Sequence, residues 1–319
     1  MRRLSRVAPY LLVLAFAFWC VAALRGDLAQ LSPAPLLRSW DLVLLAAVLS
    51  LANYALRIVR WRYYLAKLGH SVPLSFAART FIAGFAYTLS PGKLGEMARA
   101  RYYLPLGVPL QDVTAAFFTE RLMDLVVMVV LAALLLTAST GYDGVIFSAA
   151  GLVVIALVTL GFVPWGALAV RLQSGESPGV LRRALLGLVS ALASTRRLLR
   201  PGALVSGFVL GLIAWGLEGV GLGLLSSIFP PMLLDPATAI GIYGIAVLIG
   251  GLSFLPGGLG STEAVMTALL ATHGFPLNEA LLITLSCRLV TLWFAVILGW
   301  LAVLTFRRKT SPALVLPWQ

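Results

Sequence analysis

The sequence predicts an all-α polytopic membrane protein, with about six spanning helices and two Pro-Gly-broken re-entrant hairpins arranged as inverted repeats. Three observations carry this reading. Hydrophobic residues make up 60% of the 319 residues and charged residues only 11%, with a mean hydropathy of +0.97. A soluble domain carries about 45–50% apolar and about 25% charged residues, so this chain has too few charges to cover a soluble surface. The apolar residues are gathered in long runs, and two of the runs break at Pro-Gly pairs. A cytosolic enzyme, a secreted disulfide scaffold and a disordered chain are all excluded.

Six runs reach the ~17–25 residues that a spanning helix needs. They are 7–24, 41–65, 111–137, 144–170, 202–228 and 278–306. Residues 74–89 stop at Ser90-Pro91-Gly92, and residues 236–255 stop at Pro256-Gly257-Gly258. Proline lacks a backbone donor and glycine favours a turn, so each pair ends a helix. A short amphipathic piece follows each break, 93–106 and 261–273.

Charge decides how these segments cross. Lys+Arg exceeds Asp+Glu by 12. With Arg2, Arg3 and Arg6 inside and both broken segments returning to their own side, the inner face collects Arg57, Arg60, Arg62 and Lys67. It also collects the six arginines of 171–200 and the tail Arg307-Arg308-Lys309. The outer loops 138–143 and 229–235 then hold no Lys or Arg. This satisfies the positive-inside rule and places both termini in the cytoplasm, with the chain in the inner (cytoplasmic) membrane. The positive excess is therefore loop charge, and no nucleic-acid partner is expected. The first run also fits a signal peptide. Trp19 before Cys20 spoils a lipoprotein cleavage box and Arg25 follows directly, so an anchor is preferred. Lysine is confined to Lys67, Lys93 and Lys309, which points to a GC-rich bacterial genome.

The two broken segments resemble each other. Pro91-Gly92 matches Pro256-Gly257 and Leu94-Gly95 matches Leu259-Gly260 at an offset of 165. After a two-residue insertion, Glu96 matches Glu263, Gly107 matches Gly274 and Arg121 matches Arg288 at an offset of 167. The chain then divides as repeat A (41–137), a linking span (144–170), a basic cytoplasmic segment (171–201) and repeat B (202–306), within one integral membrane domain (1–319). Repeat A enters from outside and repeat B from inside. Matching Gly/Pro-broken segments in two inverted halves point to a transporter's binding site.

Ionisable residues inside spans cost at least ~2.5–3.5 kcal/mol, so they face an interior or a wet cavity. Glu120 and Asp124 are four residues apart and share one helical face, with Arg121 about 100° round from Glu120. Arg288 occupies the matching span of repeat B. Glu96, Arg99 and Glu263 follow the breaks. The alternative is mutual neutralisation, with the arginines tying carboxylates together. Asn53, Arg57 and Arg60 form a polar stripe at i, i+4, i+7, read either as part of the site or as interfacial snorkelling. Glu218 is a further secondary candidate. The loops Gly92-Lys93-Leu94-Gly95 and Gly257-Gly258-Leu259-Gly260-Ser261 precede half-helices whose free N–H groups and dipole favour a phosphate.

There is no CxxC, HExxH or Walker A loop, and neither a metal nor another cofactor is expected. His70 and His273 fall on opposite sides in this topology. Cys20 and Cys287 read as small hydrophobes. Leucines among the arginines of 171–201 suggest an amphipathic helix on the anionic leaflet.

The ordered series Asn53…Arg57…Arg60-Trp61, Pro91-Gly92-x-x-Gly95-Glu96-x-x-Arg99, Glu120-Arg121-x-x-Asp124 and Leu255-Pro256-Gly257-Gly258-Leu259-Gly260-x-x-Glu263 resembles the lysylphosphatidylglycerol synthase transmembrane region, or flippase-like UPF0104, family. The resemblance covers roughly 41–306. It implies lipid translocation between leaflets, with membrane lipids as partners. The cytoplasmic aminoacyl-transferase half of bifunctional members has no counterpart before Gln319, so aminoacyl transfer does not carry over and the chain is not read as an enzyme. Two alternatives stay open: a membrane-embedded transferase using a lipid-phosphate donor, and a non-catalytic partner of a separate lipid synthase.

Overall fold

A computed structural model of the chain describes residues 32–138, 143–173, 180–230 and 233–309. The expected first span, with Cys20, lies outside the described residues, as do most of the 138–143 loop and the chain beyond Lys309. Regular structure among the described residues is helical throughout.

After a helical turn at Ala34–Arg38, α1 (Trp40–Lys67) is the first long helix. Helix α2 (Leu74–Phe85) stops before the first break, which continues as a 3-10 segment, Pro91–Arg99. Helix α3 (Leu110–Ala132) extends through a 3-10 segment, Ala133–Ala138. Helix α4 (Asp143–Phe162) is followed by a separate helix, Trp165–Gln173, and by α5 (Val180–Leu198). The second half comprises α6 (Pro201–Ser226), α7 (Pro236–Leu252), the break at Pro256–Gly258, α8 (Ser261–Thr272) and α9 (Leu277–Phe306).

Helices α1, α4, α6 and α9 are long and apolar enough to cross a membrane. Helix α3 carries Asp112, Glu120, Arg121 and Asp124, and the first, second and fourth of these are buried. Its charges face other helices and the space between the breaks. The expected linking span 144–170 needs correction. It ends at Phe162, because Pro164 has no N–H to continue the ladder. The basic segment 171–201 contains the helix α5, which lays one face on protein and leaves Leu185 and Leu188 exposed. Ala191, Thr195 and Leu198 of α5 are fully buried, and α5 packs on α3. Arg197 donates to the Leu68 carbonyl at 3.0 Å and stands 3.7 Å from Asp112.

Helices at matching positions pack reciprocally. Helix α1 runs along α6, α7 packs on α3, α2 packs on the C-terminal half of α9, and the two breaks touch each other. Small residues allow the crossings. A Cβ on Gly244 of α7 would stand 2.8 Å from the Ala132 nitrogen. One on Gly299 of α9 would stand 2.6 Å from the Phe85 carbonyl carbon. Helix α9 also contains a π turn, Leu289–Trp293, immediately after Arg288. There the Tyr54 hydroxyl donates to the Thr291 carbonyl at 2.5 Å.

Candidate functional site

The stripe on α1 points inward. Asn53 and Arg60 are fully buried and Arg57 is 4% exposed, which replaces the snorkelling reading. Asn53 Nδ2 donates to the Ala214 carbonyl of α6 at 2.8 Å. The two arginines reach across to α3, where Glu120 and Asp124 share a face one turn apart.

Glu120 is the hub. Its oxygens accept from Arg99 at 2.6 Å, Arg121 at 2.9 Å and Arg57 at 3.3 Å, and Arg60 stands 3.7 Å away. Arg60 also donates to Asp124 at 2.5 Å. Arg121 lies 3.2 Å from Asp124 and 3.7 Å from Glu96, whose other oxygen accepts from Thr88 at 2.7 Å. The Arg99 guanidinium lies 3.6 Å from the centroid of the Trp61 ring. Four guanidinium groups thus surround one fully buried carboxylate. Removing Glu120 would leave these buried guanidinium groups without their shared anion.

The second break is built more sparsely. Gly257, Gly258 and Gly260 have φ of 63°, 67° and 85°, a region open to glycine without a Cβ penalty. Arg288 donates through Nε to Glu263 at 2.6 Å and through Nη2 to the Gly257 carbonyl at 2.7 Å. The other Glu263 oxygen accepts from the Gly260 N–H at 2.6 Å. Ser261 Oγ lies 2.9 Å from Ser253 Oγ. In the first break the Gly95 N–H donates to Ser90 Oγ at 2.6 Å, and a Cβ on Gly95 would meet the Tyr87 carbonyl oxygen at 2.6 Å. Two of the backbone donors expected to hold a phosphate are therefore already engaged by neighbouring side chains. Gly92 lies in the adjoining 3-10 segment.

Between the breaks lies a cavity of about 350 Å³. Lys93, Arg121 and Asp124 line it from the first half, and Gly257, Gly258 and Arg288 from the second. Its remaining wall is apolar apart from Thr262 and includes Met128, Leu248, Leu252 and Phe254. A chamber of about 50 Å³ shares Lys93, Trp215 and Arg288 with it and adds Arg57, Glu96 and Glu218. Glu120, Arg60, Arg99 and Asn53 stand behind these walls. Gly95, Gly260, Ser261 and Glu263 shape the breaks without lining either space.

Lys93 differs from the arginines. It has φ 56°, an unusual conformation for a residue with a Cβ. Its Nζ stands 5.5 Å from the centroid of the Trp215 ring. Among the described residues no carboxylate lies within 4 Å of it, whereas Arg57, Arg60, Arg99, Arg121 and Arg288 all have one. Trp215 is the residue that sequence reasoning missed. Its Nε1–H donates to Asp124 at 2.9 Å, and its ring faces both Arg57 and Lys93. Its position three residues before Glu218, on the same helical face, was the available signal. His70 pairs with Asp112 at 2.8 Å, apart from this site, and no three His, Cys, Asp or Glu side chains among the described residues could hold a metal.

The sequence is 26% identical over 310 residues to a UPF0104 membrane protein of Methanothermobacter thermautotrophicus, covering 91% of this chain and 89% of that protein. Residues 4–299 match the family described as the lysylphosphatidylglycerol synthase TM region, a stretch that contains both breaks and every charged residue of the cavity. With its apolar spans and buried charged core, the chain is a multi-pass membrane protein that belongs to the lysylphosphatidylglycerol synthase TM region family.

Proposed function

We propose that the protein moves a polar-headed lipid between the leaflets of the cytoplasmic membrane, and that the headgroup carries an anionic phosphate. One observation carries this reading: the cavity between the breaks has a cationic side and an apolar side. A headgroup would sit against Lys93, with its tails leaving past Leu252 and Phe254, the latter 70% exposed. The arginines are a poor source of charge for a substrate, because each already has a carboxylate within 4 Å and separating a buried pair costs ~3–5 kcal/mol. Lys93 carries no such cost. The pseudo-symmetric reading, with both termini in the cytoplasm and each half contributing one broken segment, supplies two arms that rock about a shared site.

The test is a reconstituted flip assay with fluorescent phosphatidylglycerol, phosphatidylcholine and a neutral glycolipid. The wild type is expected to accelerate phosphatidylglycerol most. Lys93→Gln should slow that lipid about tenfold or more, the scale of one lost charge-assisted hydrogen bond. No acceleration of any lipid over protein-free liposomes would sink the proposal.

A further inference from the structure

Transport in one direction needs a driving force, and the two chambers hold one acid able to couple to it. Of the five carboxylates in or beside them, Glu96, Glu120, Asp124 and Glu263 each have a guanidinium within 4 Å. Protonating any of these would take an anion away from a buried arginine. Glu218 is different. It lies in the C-terminal third of α6, is 3% exposed, and has no cation within 4 Å among the described residues. It accepts one hydrogen bond, from Ser50 Oγ at 2.9 Å. A carboxyl that gains a proton can keep accepting that bond through its other lone pairs.

Its surroundings come from every neighbouring element. Helix α1 presents Ser50, Tyr54 and Arg57, the first break presents Lys93, α7 presents Tyr243, and α9 presents Cys287 and Arg288. Helix α3 places Asp124 one turn along, bound to Trp215 and Arg60. Arg57 and Arg288 are committed to Glu120 and Glu263, which leaves Lys93 as the free charge shared by both chambers.

We propose that Glu218 carries a coupling proton, taking it up when an anionic headgroup settles against Lys93, so that lipid and proton cross together. This rests on the transport reading above. A phosphate at Lys93 adds negative charge beside Glu218, and a neighbouring negative charge favours the neutral carboxyl. Linkage is reciprocal, so the bound proton in turn favours the headgroup. The anion and the proton together bring no net charge to the membrane midplane.

The experiment uses proteoliposomes carrying fluorescent phosphatidylglycerol, with and without an imposed pH gradient. Acid on the side the lipid leaves should speed its movement several-fold, and a protonophore should remove the increase. Glu218→Gln should lose the gradient response, and Glu218→Asp should retain part of it. Ser50→Ala, which keeps the acid but removes its hydroxyl partner, should move the pH midpoint of transport. Wild-type movement that ignores the gradient would overturn the coupling and leave lipid transport standing. A full gradient response in Glu218→Gln, or an unmoved midpoint in Ser50→Ala, would overturn the assignment to Glu218. No lipid movement under any condition would overturn both readings.

Discussion

Arg121 and Arg288 occupy matching positions, one helix beyond each Pro-Gly break, yet their surroundings differ. Arg121 stands within 4 Å of Glu96, Glu120 and Asp124 and shares the last two with arginines from α1 and the first break. Arg288 has one carboxylate, Glu263, and one carbonyl, that of Gly257. The matching acids are also used differently. Glu96 is held by the Thr88 hydroxyl, whereas Glu263 closes the start of α8 by accepting from the Gly260 N–H. In the first half the charges bind α1, α3 and the break into one body. In the second half a single pair fixes the shape of a glycine loop. Matching positions share their chemistry and perform separate mechanical tasks.

The largest expected effect tests that contrast directly. Glu120→Gln removes the anion shared by four guanidinium groups and should cost ~3–5 kcal/mol, read as a fall in detergent melting temperature. Glu263→Gln removes the anion of one pair and should cost less, ~1.5–3 kcal/mol. Equal losses would erase the distinction between the halves. A middle-sized effect probes the reciprocal crossings. Gly244→Ala and Gly299→Ala each drive a Cβ into the backbone of a facing helix and should each cost ~1–3 kcal/mol. Gly216→Ala meets nothing within 4 Å and should be neutral or slightly stabilising. A large loss at one crossing alone would show that the packing is not reciprocal in energy.

The smallest effect lies at the starts of the two broken arms. Helix α7 begins at Asp235, which accepts from the Ala237 and Thr238 amides at 3.0 Å each, while α2 begins at Pro73 with no side-chain cap. Hydrogen bonds from Thr238 hold the exposed Asp235 carboxyl below its ordinary range. The cap's contribution is therefore complete above the usual aspartate range and fades as the pH falls through the lowered value. Asp235→Ala should cost about 1 kcal/mol at neutral pH and less in acid, measured by thermal melting at both. An unchanged melting temperature at neutral pH would make the two arms alike.

Much of this architecture is written in local pattern. Hydropathy marks α1, α6 and α9, and the Pro-Gly pairs mark both breaks, because each depends on properties of neighbouring residues. The stripe Asn53, Arg57, Arg60 declares a shared face but not what faces it, since partners 60 or more residues away leave no local trace. That is why Arg57 and Arg60 belonged equally to snorkelling or to a site until Glu120 and Asp124 stood opposite them. Lys93 and Glu218 are opaque for the same reason. What distinguishes them is the carboxylate or guanidinium they lack, and that is a property of the assembled interior. Pro164, by contrast, was legible, and the long apolar run around it obscured the helix end it makes.

The π turn after Arg288 sets how the chain tolerates a change in length. A π turn holds one residue more than the α turn it replaces. Deleting a residue from Leu289–Trp293 would return the stretch to ordinary helix and leave Arg288 facing Gly257 and Gly299 facing Ala86. Deleting one anywhere else in α9 would swing one half against the other by about 100°. The segment is thus a place where this helix can absorb a change in length, and its extra residue leaves the Thr291 carbonyl to accept from the Tyr54 hydroxyl.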